Sequence, residues 1–175
     1  KRKEVVSKTI ESLQRDLDMQ APPRRIEAFD NSNIQGKHPV AGMVCFIDGK
    51  PRKGEYRKFN IKTVDGIDDF ASMKEVVFRK YKRALNESTT LPDLILIDGG
   101  KGQLSQAYDV MKELSTHGVL LVGVAEGEGR KSGLETLYFV DGRSPLNLPM
   151  DCPGFHLLQR IRDEAHRFAI TAHRN

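Results

Sequence analysis

The spacing of apolar residues changes several times along the chain, and each change marks an element. Val6, Ile10, Leu13 and Leu17 recur every three or four positions, the period of an amphipathic helix, which Pro22 and Pro23 then stop. From Arg25 to Asp30 the alternation of Ile26 and Ala28, with Phe29 adjoining, predicts a strand that runs into polar Asn31 and Ser32. Val40 to Ile47 is a second strand, and Asp48-Gly49 signals a hairpin into a third across Gly54 to Ile61. The period then becomes helical: Asp68 is placed to cap a helix whose apolar face is Phe70, Met73, Val77, Tyr81 and Ala84. Leu94 to Ile97 is a buried strand that ends at Asp98-Gly99-Gly100, before a helix carrying Leu104, Ala107, Val110, Met111 and Leu114. Val119 to Val124 and Glu135 to Val140 are further strands, separated by a glycine-rich basic loop over 127–133. Pro153 to Ala172 is a long helix with Leu158, Ile161, Ala165, Phe168 and Ala172 on one face.

This order predicts an α/β fold with a mixed sheet, because hairpin-linked strands are antiparallel and helix-linked strands are parallel. The leading helix is expected as an appendage. At 175 residues the chain has room for about one domain. No apolar run approaches the ~18–20 residues that cross a bilayer. The two cysteines, Cys45 and Cys152, lack metal-site spacing and suggest no disulfide framework, so a reducing cytoplasm is the expected compartment. A chain that starts at Lys1 with no signal-peptide pattern is expected to be a piece of something longer. Lys and Arg exceed Asp and Glu by 28 to 24, a lean towards an anionic partner that charge alone leaves open.

Candidate chemistry gathers where strands end. Asp30 and Asp98 each close a predicted strand, and in open α/β sheets ligands bind at the carboxyl ends of strands. If the two strands are neighbours, the carboxylates converge and invite a hard cation such as Mg²⁺ or Mn²⁺. Turn preference alone also explains an aspartate at such a position. The segment from Asp98 to Gln103 looks like a phosphate-cradling loop but lacks the GxxxxGK[ST] spacing of a nucleotide-binding P-loop. His166 shares a helix face with Gln159, Arg162 and Asp163, where it is placed to ligate a metal or to pack structurally. Asp68 and Asp69 open a helix, so one caps it and Asp69 remains a third carboxylate candidate.

Five segments in collinear order then point to a family: FDNSNIQG (29–36), DDFASM (68–73), LILIDGGKGQL (94–104), GRKSGLETL (129–137) and RDEAHRFAI (162–170). Together they resemble the C-terminal endonuclease half of UvrC, the incision subunit of bacterial nucleotide excision repair. The resemblance implies an RNase H-like fold over residues 23–175, with 1–22 a linker or amphipathic helix from a preceding region. It implies 5′ incision beside a lesion in damaged double-stranded DNA, while a separate domain elsewhere makes the 3′ incision. UvrB is the implied partner, with UvrA acting upstream, and the fragment itself is expected to be monomeric. Carried over by position, the catalytic set falls on Asp30, Asp98 and His166, with Asp69 as a further functional aspartate. Asp30, Asp98 and His166 are the expected ligands of Mg²⁺ or Mn²⁺. Lys101 is placed to offset charge on the scissile phosphate, and Arg130, Lys131, Arg160 and Arg162 to hold the DNA backbone. The competing reading is a catalytically inactive DNA-binding or assembly module of the same fold.

Overall fold

The structure, a computed structural model, describes residues 6–32, 39–61, 69–126, 135–147 and 151–172. Asp68 and the basic loop over 127–133, with Arg130 and Lys131, lie outside the described residues. In chain order the elements are α1 (Lys8–Asp16), β1 (Arg25–Ser32), β2 (Val40–Ile47), β3 (Lys50–Pro51), a 3-10 turn (Lys53–Glu55), β4 (Arg57–Asn60) and α2 (Asp69–Asn86). There follow β5 (Leu94–Asp98), α3 (Lys101–Glu113), β6 (Leu120–Glu126), β7 (Glu135–Phe139) and α4 (Pro153–Ala172).

The strands form one sheet in the order β3-β2-β1-β5-β6-β7, with β4 also pairing with β2. β1 and β2 are antiparallel, β5 runs parallel to both β1 and β6, and β7 returns antiparallel to β6. The mixed sheet is thus the one that the connections predicted. Asp48 and Gly49 turn the hairpin with φ of 52° and 82°, the left-handed pair that matches strand twist. The third strand differs from expectation. The strand expected across Gly54 to Ile61 is β4, shortened to Arg57–Asn60 by the 3-10 turn, and a two-residue β3 comes before it, ended by Pro51, which has no N–H for a ladder.

Alternation divides the core between the two sheet faces. On one face Ile26, Ala28, Leu94 and Leu96 meet Phe155, Leu158, Ile161 and Ala165 of α4. On the other, Phe29, Ile95 and Ile97 meet Met73, Val77 and Tyr81 of α2 and Leu104, Ala107 and Val110 of α3. The leading helix does more than append: Ile10, Leu13 and Leu17 are buried in the first of these cores. A helix of nine residues is marginal alone, but three buried aliphatic side chains at about 1.5–3 kcal/mol each suffice to hold it. Gly154 permits this close docking, since a Cβ there would lie 3.2 Å from the Leu13 backbone.

One buried polar group fastens α2 to the sheet. Glu27 on β1 is fully buried, accepts a hydrogen bond from the Tyr81 hydroxyl at 2.6 Å, and pairs with Arg25 at 2.8 Å. Burial and the neighbouring Glu27 push the Tyr81 hydroxyl well above its usual pKa, so it stays a donor.

Candidate metal centre

Strand periodicity decides where the two aspartates point. Ile26 and Ala28 face α4, so two residues on, Asp30 does too; Leu94 and Leu96 carry Asp98 to the same side. The parallel register pairs Ala28 with Leu96 and Phe29 with Ile97, so the next pair along the two strands is Asp30 beside Asp98. Adjacent strands lie about 4.8 Å apart, which brings the carboxylates together at one edge of the sheet. From the helix side, Ile161, Ala165 and Ala169 bury one stripe of α4 against the sheet. His166, next to that stripe, reaches over the strand ends. Gly42 on β2 sets the helix height: a Cβ there would meet the Phe168 ring at 2.9 Å and the Ala169 backbone at 3.1 Å.

The result is a compact constellation. One ligand atom from each of Asp30, Asp98 and His166 falls within 4.8 Å of the others. His166 Nδ1 lies 2.9 Å from Asp30 Oδ2, a hydrogen bond that needs one proton between the two groups. Asp30 is 5% exposed, whereas the His166 ring stands open to solvent at 62%. Burial and the adjacent Asp98 charge push the Asp30 carboxyl up to about 7, and the His166 contact only partly offsets them. Arg162, one turn before His166 on α4, places Nε 3.3 Å from Asp98 Oδ1. Two carboxylates, an imidazole and a guanidinium therefore share one edge of the sheet. Two oxygen donors and one nitrogen at this spacing suit a hard or borderline divalent cation.

The other sequence-predicted residues are placed differently. Asp69 is the first residue of α2, and its side chain lies outside the described set. Lys101 opens α3 with its side chain exposed and Nζ 5.9 Å from the centre of the Tyr138 ring. Arg160 turns to the opposite end of the sheet, where it donates to the Gly49 carbonyl at 3.4 Å beside the β2–β3 hairpin. Arg162 contacts a carboxylate of the cluster itself, which makes it a counter-charge there.

Two contacts that brace α4 near His166 went unread in the sequence. Tyr56 donates to Glu164 at 2.8 Å and Arg167 pairs with Glu164 at 2.7 Å, so the start of β4 is fastened to α4 two residues from His166. The Arg167 guanidinium holds the Glu164 carboxyl below its usual range. The one available signal was helical spacing, which sets Glu164 and Arg167 three apart.

Comparison with known proteins supplies the family. The model of the UvrC RNase H endonuclease domain matches residues 14–170. The chain belongs to that family. The curated UvrABC system protein C of Cytophaga hutchinsonii is 51% identical over 168 residues, covering 95% of this chain and 27% of that protein. Its counterpart in Pseudomonas aeruginosa is 47% identical over 169 residues, covering 97% of this chain and 28% of the relative. The chain thus spans little more than a quarter of the length of these relatives. Among solved structures, endonuclease V of Streptomyces avermitilis overlays with a TM-score of 0.46 at 14% identity, covering 93% of this chain and 89% of that one. Endonuclease V of Ciona intestinalis, in complex with a 24mer DNA containing an inosine, gives 0.47 at 16% identity and covers 90% of this chain and 65% of that one. Membership of the UvrC RNase H family agrees with the strand order, in which an antiparallel trio joins two parallel strands through helices. Among the described residues no helix is long and apolar enough to cross a membrane.

Proposed function

We propose that this chain is a divalent-metal-dependent DNA endonuclease domain that makes the 5′ incision beside a lesion in nucleotide excision repair. Damaged double-stranded DNA is its substrate, UvrB its partner in the complex, with UvrA acting upstream, and the cytoplasm its compartment. The observation that carries the reading is the convergence of Asp30, Asp98 and His166 at the carboxyl edge of the parallel strands. Family membership supports the class of chemistry.

The donor set fits a metal. A buried carboxyl beside a second carboxyl is an unfavourable pairing in a folded protein unless positive charge offsets it, and a cation held between the two would do so. Asp30, Asp98 and His166 would hold Mg²⁺ or Mn²⁺. When bound, such an ion supplies positive charge against the phosphodiester oxygens and the attacking water.

The chain's own residues do the rest. To hold the cation, Asp30 would give up the proton that it shares with His166, and His166 would offer a ring nitrogen, because only deprotonated donors ligate. Tyr56 and Arg167, through Glu164, hold α4 at the height that keeps His166 over the strands. Asp69 is proposed as a further functional carboxylate. Lys101, at the start of α3, is proposed to offset the charge that builds on the phosphate in the transition state. Arg130, Lys131 and Arg162 are proposed contacts to the DNA backbone, which position the duplex without reading its sequence, whereas Arg160 at the far end of the sheet is left out of that set. Arg162 would exchange Asp98 for a phosphate as the site fills.

The test is strand nicking of lesion-bearing duplex by the domain joined to its damage-recognition partners, in Mg²⁺ or Mn²⁺. Asp30→Asn and Asp98→Asn are each expected to abolish the 5′ nick while leaving DNA binding in place. A 5′ nick of wild-type rate from either variant would overturn the proposal, and DNA binding without any nicking by the wild type would make the domain an assembly module.

A further inference from the structure

Helical spacing assigns Phe70 to the apolar face of α2 with Met73, Val77, Tyr81 and Ala84, and those four are buried. Phe70 is not: it is 51% exposed, the most exposed large hydrophobic side chain among the described residues. Its ring instead rests on the first turn of α3. A Cβ built on Gly102 would lie 2.3 Å from Phe70 Cζ and within 2.9 Å of two further ring atoms, so only a glycine leaves the ring its seat. Gly102 follows Lys101 directly and stands four residues after Asp98. That chain length spans at most about 14 Å, a distance covered by a few nucleotides at about 3.4 Å rise each.

Burying a phenylalanine is worth about as much as any single core contact, so a ring held at a surface by a dedicated glycine has lost that gain. We infer that Phe70 is a stacking platform for a nucleobase flanking the scissile phosphate, a role that rests on the nuclease reading above. An aromatic face accepts any base, which suits an enzyme directed by lesion position rather than by sequence. Lys101 next to the platform would steer the phosphates of the same strand past it. Phe78 and Leu85 on α2 and Tyr108 on α3 are also exposed, at 38%, 40% and 38%, but Phe78 already lies about 12 Å along the helix from Phe70. Phe70 alone of these stands in the first turn of α2, which begins at the end of the sheet where β1 and β5 finish.

The experiment uses the full protein with its damage-recognition partners and lesion duplexes that carry 5-iodouracil at successive positions around the incision point. Irradiation is expected to crosslink one or two adjacent positions to the peptide containing Phe70, as read by mass spectrometry. In the same assembly Phe70→Leu is expected to lower nicking by about 5- to 100-fold, the usual cost of losing one stacked base, while Phe70→Trp stays within threefold of wild type. Mn²⁺ affinity of the domain should not change in either variant. Bound duplex without a crosslink at Phe70, or a Phe70→Leu protein that nicks like wild type, would overturn the platform. Failure of the nuclease reading shows separately, as nicking that survives Asp98→Asn.

Discussion

Replacing Asp30 by Asn should make the metal-free domain more stable at pH 8 and leave it nearly unchanged at pH 4. Folding raises the Asp30 carboxyl from 3.8 to about 7, chiefly through burial and then through the charge of Asp98. The folded state therefore keeps a proton that the unfolded chain releases. Stability is undiminished below pH 3.8, falls as pH rises between 3.8 and about 7, and carries the whole penalty above that. At 1.36 kcal/mol per unit the ceiling is about 4 kcal/mol. Relaxation along the exposed His166 edge lowers it, and a gain of roughly 1–4 kcal/mol for Asp30→Asn at pH 8 is expected. The amide keeps the size of the carboxyl and can still bond His166 Nδ1. Urea unfolding with a chelator, for both proteins at pH 4 and pH 8, isolates the effect as a difference of differences. Adding Mn²⁺ at pH 8 should then stabilise the wild type and not the variant. An Asn variant that is less stable than wild type at pH 8, or that shows the same difference at both pH values, would refute the repulsive carboxylate pair.

Three further outcomes follow from the same geometry. Mn²⁺ binding should release close to one proton at pH 6 and much less at pH 8, because the Asp30 proton leaves as the metal enters; calorimetry in buffers of different ionisation enthalpy reads this, and affinity that does not rise with pH up to about 7 would contradict it. Tyr81→Phe removes a 2.6 Å hydrogen bond from fully buried Glu27 and should cost about 1–3 kcal/mol in urea unfolding, with metal affinity unchanged. Gly42→Ala forces a methyl against Phe168 and the Ala169 backbone and should cost about 1–3 kcal/mol, and because it lifts the helix that carries His166 it should weaken Mn²⁺ binding as well.

Much of the site was legible because it rests on short-range rules. Strand alternation places Asp30 and Asp98 on one face once the parallel register of β1 and β5 is known, and helix connections between strands imply parallel pairing. The resemblance of five ordered segments supplied the proposed roles, which periodicity could not. What stayed hidden depends on three-dimensional contacts. Nothing in the spacing of Phe70 says that its ring leaves the core for a seat on Gly102. Sequence gives Arg162 its charge and its helix face, but not its ion pair with Asp98. Arg160 shares that helix yet turns to the far end of the sheet. The short β3 was missed because Lys50 to Lys53 carries no apolar alternation, and the strand expected across Gly54 to Ile61 starts only at Arg57 because 53–55 form the 3-10 turn. Glu27 looked like an ordinary strand residue, and only the folded chain puts Tyr81 against it.

The account depends most on Asp30, Asp98 and His166 holding one cation together. A crystal of the domain soaked in Mn²⁺ and measured at the manganese absorption edge tests this directly. The account predicts an anomalous peak within about 2.3 Å of at least one oxygen of each aspartate and one nitrogen of His166, which disappears in Asp98→Asn. A peak bound elsewhere, or none at a Mn²⁺ concentration that supports nicking, would contradict it.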